Sequence, residues 1–155
     1  MRIALALAAL LFASLPSAGF AEEQKGAVAM QAGGLFIPGD FVEAGTCVPL
    51  SRFAPGERVV FRARVTDART GEVVPEAEVV VRLDNGLTVP LRYGPHPPPH
   101  IGPSFEEYWT GVWAIRPDTP MGIVRFSIEA TAGNRTGRFE PFNNLNSLLT
   151  IVSRS

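Results

Sequence analysis

The chain has 155 residues, of which 46% are hydrophobic, and its 14 basic and 15 acidic side chains give a net charge of −1 at pH 7. This balance argues against a protein that follows nucleic-acid phosphates, because such proteins concentrate positive charge on one face. The single cysteine, Cys47, excludes a disulfide within the chain.

The first 21 residues have the pattern of a secretory signal peptide. Arg2 precedes an apolar run over residues 3–15, and Gly19 and Ala21 are the small residues typical of a signal-peptidase site. The run is shorter than the roughly 20 residues that cross a bilayer. We therefore expect cleavage before Glu22, a periplasmic or secreted location, and no membrane span in the mature chain.

Alternating apolar and polar residues begin at Arg58 and predict β-strands. In residues 58–67 the apolar positions 59, 61, 63 and 65 share one face, and residues 77–83 repeat this pattern with Val79, Val81 and Leu83. Residues 22–57 are less regular, because glycine and proline interrupt them. Within that segment the sequence predicts one short edge strand, at residues 35–37.

Turn residues divide the rest of the chain into further strands. Asn85-Gly86 predicts a tight hairpin with positive φ at both positions. A proline-rich connection over residues 94–103 follows, and two prolines in Arg116–Pro120 end the next strand. The strands predicted after Gly86 are residues 87–91, 108–115, 123–131, 138–142 and 148–152.

These strands predict an all-β fold, since no segment after the signal peptide has apolar residues at helical spacing over ten positions. Seven to eight strands, with a turn about every dozen residues, favour an immunoglobulin-like antiparallel β-sandwich. We expect residues 58–155 to form this sandwich. Residues 22–57 belong to the same domain as an N-terminal segment that adds at most an edge strand.

Several motifs support this interpretation. Val65-Thr66-Asp67, Thr70-Gly71-Glu72-Val73-Val74-Pro75 and residues 77–83 form one run, and Gly111-Val112-Trp113, Pro120-Met121-Gly122 and residues 128–131 follow. Over residues 55–152 the arrangement resembles bacterial immunoglobulin-like domains of exported proteins, including the YtkA-like periplasmic domains. The resemblance implies a sandwich with a binding or accessory role, because such modules usually present loops and rarely carry chemistry.

The sequence has none of the common catalytic motifs. There is no Gly-x-Ser-x-Gly elbow, no His-Glu-x-x-His and no phosphate-binding glycine loop. Glu106 and Glu107 are adjacent on a strand and point to opposite faces, so they do not form an acid/base pair. We predict a non-catalytic binding module with a protein partner in the cell envelope. Its contact region is the proline-rich loop 94–107, whose stiffness lowers the entropic cost of binding.

Both histidines lie in this loop, and imidazole is a ligand for copper, zinc or nickel. A periplasmic copper-binding protein that uses His96 and His100 is therefore an alternative function. In a polyproline II segment the two residues would be about 12 Å apart along the axis and about 120° apart in direction. Further ligands would have to come from other positions, and a rigid solvated loop is the competing interpretation. The candidate further ligands are Met30, Cys47, Met121, Glu106 and Glu107.

A second alternative is a carbohydrate-binding module. Trp109 and Trp113 share one face of the predicted strand, about 13 Å apart. Core packing is the first interpretation of Trp113, whereas Trp109 is nearer to the loop and could form a shallow aromatic site with Tyr93 and Phe105. Plain packing of Trp109 is the simpler interpretation. The candidate binding residues are Tyr93, His96, His100, Glu106 and Trp109.

Two other features have plain interpretations. Cys47 is expected to be buried as a small hydrophobic residue. Four arginines occupy outward positions of predicted strands, where cross-strand pairing with Glu57, Glu78 and Asp84 is favoured over a basic stripe for an acidic partner. These arginines are Arg58, Arg62, Arg64 and Arg82.

Overall fold

The computed structural model of the chain describes residues 34–96, 106–144 and 147–154. The predicted signal peptide, Met30, His100 and Phe105 lie outside the described residues. All regular secondary structure within them is β-strand, which confirms the predicted all-β fold class. The twelve strands of the described ranges are β1 (Leu35–Phe36), β2 (Gly39–Glu43), β3 (Arg52–Phe53), β4 (Arg58–Ala63), β5 (Thr66–Asp67), β6 (Glu78–Leu83), β7 (Thr88–His96), β8 (Glu106–Ala114), β9 (Gly122–Val124), β10 (Phe126–Ala132), β11 (Arg135–Phe139) and β12 (Leu149–Ile151).

Two antiparallel layers form a sandwich and share one strand. Residues 88–91 of β7 pair with β6, and residues 92–96 of β7 pair with β8. The first layer continues from β6 to β10 and β11, and the second continues from β8 to β4 and β2. Phe61 of β4 and Phe126 of β10 meet in the interior with ring centroids 5.1 Å apart. The core therefore lies between the layers, while the immunoglobulin-like strand order stays a prediction.

The turn of β7 from one layer to the other depends on Gly111 of β8. Gly111 lies between Trp109 and Trp113 on the buried face of that strand. A Cβ atom at this position would be 2.7 Å from the backbone oxygen of Pro90 and 3.0 Å from Leu91 Cδ1. The missing side chain thus lets the β7 backbone cross the inner face of β8, which is a common reason for glycine inside a strand.

A small third sheet contributes buried residues to the core and corrects two predictions. Residues 123–131 form two strands, because the chain leaves β9 at Arg125 and enters the larger sheet as β10. The alternation of buried residues continues through this change of sheet, as Val124 and Phe126 are both buried. The third sheet has the order β3-β12-β9, and β3 pairs with β12 in parallel, so the pairing is not antiparallel throughout.

The predicted hairpin at Asn85-Gly86 is present with a different turn. Gly86 has φ +86°, and Cys47 is the only non-glycine residue of the described chain with positive φ, so Asn85 does not share it. Leu83 O accepts a hydrogen bond from Gly86 N at 3.0 Å, and Leu83 N donates to Leu87 O at 2.9 Å. This is a three-residue loop closed by a left-handed glycine. Asp84 is the first residue of the loop, because its backbone N–H donates to Arg125 O and not to β7.

The described part of the N-terminal segment belongs to the sandwich. The predicted edge strand at residues 35–37 is present as β1, which pairs with β5, and β2 pairs with β4 along its full length. β2 and β3 were not predicted. In β2 the adjacent residues Phe41 and Val42 are both buried, so its pattern does not alternate. The predicted strand over residues 58–67 is also divided, into β4 and β5. These two additions and two divisions raise the predicted seven to eight strands to twelve in the described ranges.

We expect Gly111→Ala to lower the free energy of unfolding by about 1–3 kcal/mol, because the new methyl group meets a backbone oxygen that cannot rotate away. Gly94→Ala is the matched control on the same hairpin, since a Cβ at Gly94 has no heavy atom within 4 Å. Its expected effect is within about 0.5 kcal/mol. Urea unfolding followed by circular dichroism measures both, and equal effects would show that the crossing of β7 does not need Gly111.

Candidate functional site

The predicted site residues that the structure describes lie towards the end of the β7–β8 hairpin that adjoins residues 97–105. His96 pairs with Glu106, and Tyr93 pairs with Trp109 three rungs further in. Strand pairing therefore brings four of the five predicted residues onto neighbouring strands. The fifth, His100, lies outside the described residues together with the rest of residues 97–105.

The two faces of the hairpin divide these four residues. Directly opposed residues of antiparallel strands point to the same face, and successive residues point to opposite faces. Tyr93 and Trp109 therefore share the inner face, and His96 and Glu106 share the outer face. The structure does not bring the aromatic pair and the imidazole onto one surface.

Trp109 anchors the hairpin in the core. Its side chain is 1% exposed, and Nε1 donates a hydrogen bond of 3.1 Å to the backbone oxygen of Ala77, which immediately precedes β6 in the other layer. The Tyr93 ring packs against the indole with centroids 4.4 Å apart. Trp109 therefore presents no open face on which a sugar could stack, as the packing interpretation expects. Tyr93 donates a hydrogen bond of 2.8 Å to Glu107 Oε2, and this bond raises the pKa of Tyr93.

The outer face carries a group of charged and polar side chains that we call the outer polar cluster: Asp40, Arg62, Arg64, His96, Glu106 and Tyr108. Arg62 binds Asp40 through both carboxylate oxygens, with Nε and Oδ1 2.8 Å apart. Arg64 Nη1 lies 3.9 Å from Glu106 Oε2, and the Tyr108 hydroxyl donates to the same Glu106 oxygen. The bond to Asp40 raises the pKa of Arg62, and the bond to Glu106 raises the pKa of Tyr108.

His96 differs from the other members of the outer polar cluster because its Nε2 atom is buried and has no hydrogen-bond partner within the described chain. The imidazole packs edge-on against Tyr108, with centroids 5.9 Å apart. Burial lowers the pKa of His96, the positive charge of Arg62 lowers it further, and Asp40 opposes both effects. Both burial and Arg62 therefore favour the neutral form of the imidazole.

A hollow of about 220 Å³ adjoins the outer polar cluster. It is smaller than the roughly 300–1,000 Å³ typical of small-molecule sites. Its size suits one side chain of a partner. The hollow is lined by Pro38, Gly39, Asp40, Arg62, Ala63, Arg64 and Tyr108.

The candidate metal ligands are not assembled in the part of the chain that the structure describes. No group of three or more His, Cys, Asp or Glu residues there is arranged to hold a metal ion. Glu107 lies on the face opposite His96, and Met121 is an exposed residue directly before β9 in the third sheet. Cys47 is only half-buried, contrary to expectation, because it lies in a surface turn with φ +57°.

Sequence analysis missed Asp40 as a member of the site. Arg62, Arg64 and Arg82 were predicted to pair with Glu57, Glu78 and Asp84. All three arginines have acidic partners, but these are Asp40, Glu106 and Glu129 respectively, so the expected partners were wrong. The partners come from strands distant in sequence, so only strand order identifies them. Arg82 lies on β6 in the other layer, so the four arginines do not form one stripe.

The chain matches no family model, no curated protein and no solved structure. Among the described residues, no helix is long and apolar enough to cross a membrane. The resemblance to bacterial immunoglobulin-like domains therefore stays a prediction.

The lowered pKa of His96 predicts a loss of stability in weak acid. The unfolded chain takes up a proton near pH 6.5, whereas the folded protein resists protonation until a lower pH. This contribution to stability is complete above about pH 6.5 and is lost as the pH falls through the folded-state pKa. We expect wild type to lose more stability than His96→Gln between pH 7.5 and 5.5, as measured by urea midpoints. His100→Gln, which keeps His96, should retain the wild-type loss, and identical pH profiles for wild type and His96→Gln would contradict this account.

Proposed function

We propose that the protein is an exported, non-catalytic binding module that recognises a protein partner in the cell envelope. The contact region is the end of the β7–β8 hairpin, which comprises loop 94–107 and the outer polar cluster. The observation that carries this proposal is the anchoring of the hairpin by Trp109. A hairpin fixed to both layers at its base can present its outer end without a large loss of conformational freedom on binding.

The chemistry of the outer polar cluster supports a protein partner. Tyrosine and arginine are enriched in protein interfaces, and Tyr108, Arg62 and Arg64 lie together here. Each arginine has an acidic neighbour, so the cluster offers a polar surface with balanced charge. Arg64, whose contact with Glu106 is long, is the cation best placed to exchange its partner for a carboxylate of the bound protein.

Photo-crosslinking tests the position of this contact. A photoreactive phenylalanine analogue is placed at Pro95 in the full chain, and at Pro117 as a matched control. Both prolines are exposed, but Pro95 lies near the end of β7 whereas Pro117 lies in the turn after β8. In envelopes of the producing cell we expect a discrete adduct from position 95 and none from position 117. Replacing residues 97–105 with a glycine-serine segment of equal length should reduce the adduct at least tenfold. No adduct from position 95, or equal adducts from both positions, would contradict the proposal.

A copper-binding function is the second candidate, and the observation that favours it is the buried, unpartnered Nε2 of His96. A neutral imidazole is the form that binds metal. Arg62 opposes this candidate, because its positive charge lies close enough to lower the pKa of His96.

Calorimetric titration with Cu²⁺ and Zn²⁺ separates the two candidates. If the protein binds copper through His96 and His100, wild type should bind copper stoichiometrically. Both His96→Ala and His100→Ala should then lose the heat of copper binding and the copper absorption band. Met121→Ala is the control, because the structure places this candidate ligand directly before β9 in the third sheet. A titration without heat above dilution would remove the copper candidate.

A further inference from the structure

Because they share β7, the two layers form one seven-stranded sheet whose edge strands are β2 and β11. A pocket of about 560 Å³ lies where these two edges approach each other. They touch at Gly39, where a Cβ atom would be 3.4 Å from Phe139 Cδ1. Phe41 lies further along β2 and Pro141 lies just after β11, and both line the pocket. We call this space the seam pocket.

The wall of the seam pocket is mainly aromatic. Phe41 and Phe126 pack edge to face with centroids 5.6 Å apart, and both are nearly buried. Pro49, Leu50 and Phe139 add further apolar surface. Such a wall gives dispersion contacts and excludes water, but it offers few hydrogen bonds to a polar ligand.

The described wall of the seam pocket carries no uncompensated charge. Among the described lining residues Asp40 is the only charged one, and both oxygens of that carboxylate are bonded to Arg62. Ser51 and Ser147 are the only hydroxyl-bearing residues within this described lining. An unpaired charge transferred into such a site would lose its hydration without gaining a partner. The part of any ligand that enters must therefore be uncharged.

Exposed apolar side chains stand at the rim of the seam pocket. Phe142 is 82% exposed and Leu50 is 42% exposed, and both line the pocket. Exposed large hydrophobic residues beside a concave apolar site are typical of a binding surface. The volume also falls in the range of small-molecule sites, about 300–1,000 Å³.

We propose that the seam pocket binds a small apolar ligand, namely a ring system or an acyl chain, with any polar head group left at the rim beside Phe142. This site is separate from the loop 94–107 and does not depend on the proposed protein partner. An acyl chain can come from a free molecule or from a membrane lipid, and the same chemistry of recognition serves both sources.

Titration with N-phenyl-1-naphthylamine, an uncharged fluorescent aromatic, tests this site on the purified protein. We expect a saturable rise in probe fluorescence with wild type. Ser51→Trp, which places an indole at the wall, should weaken probe binding at least tenfold, and Phe142→Ala should weaken it about threefold to tenfold. Met121→Ala removes a residue that is also largely exposed but does not line the pocket, so its affinity should stay within twofold of wild type.

Each outcome bears on the proposal. Thermal unfolding verifies that the variants are folded. If Ser51→Trp does not fold, Phe142→Ala still tests the proposal, because the exposed Phe142 side chain contributes little to the core. Displacement of the probe by dodecanol supports a free ligand. Sedimentation with phosphatidylcholine vesicles that is lost in Phe142→Ala supports a lipid chain. No rise in fluorescence, or equal rises in all variants, would overturn the proposal, as would a Phe142-dependent dimer that excludes the probe.

Discussion

The passage of β7 between the two layers is the constraint on which the rest of the structure depends. One strand pairs with β6 at its start and with β8 at its end, so its backbone must cross the inner face of β8. That crossing requires a residue without a side chain, and Gly111 provides it. Trp109 lies two residues before Gly111 and bonds to Ala77 beside β6. The same short stretch of β8 therefore makes room for the crossing and ties the layers together.

The filled interior determines where binding can occur. Phe41, Phe61 and Phe126 form a contiguous aromatic group between the layers, and Trp109 fills the space beneath the β7–β8 hairpin. The two binding surfaces that we propose, the hairpin end and the seam pocket, therefore lie outside this filled interior. The surface ion pairs of the outer polar cluster contribute little to stability, because exposed pairs are typically worth about 0–1 kcal/mol. They leave a polar surface of balanced charge at the hairpin end.

The alternating pattern of the sequence predicted much of the fold and only part of the site. β6 was predicted because its buried residues recur at every second position, and β4 because Val59, Phe61 and Ala63 do so although Val60 is buried as well. The hairpin between β6 and β7 was predicted from Asn85-Gly86. β2 was missed because Phe41 and Val42 are both buried, and the division at Arg125 was missed because alternation continues when a strand changes sheets. The pairing of Asp40 with Arg62 depends on strand order, which the local pattern does not contain.

Asp40 shows how one edge strand can border two surfaces of opposite character. It lines both the hollow beside the outer polar cluster and the seam pocket. An unpaired carboxylate there would repel apolar ligands from the pocket, because the charge would have to lose its hydration when a ligand entered. Arg62 on the neighbouring strand donates hydrogen bonds to both oxygens, and so holds the carboxylate within the outer polar cluster. The pairing of β2 with β4 therefore separates a polar recognition surface from an apolar pocket within the width of one strand.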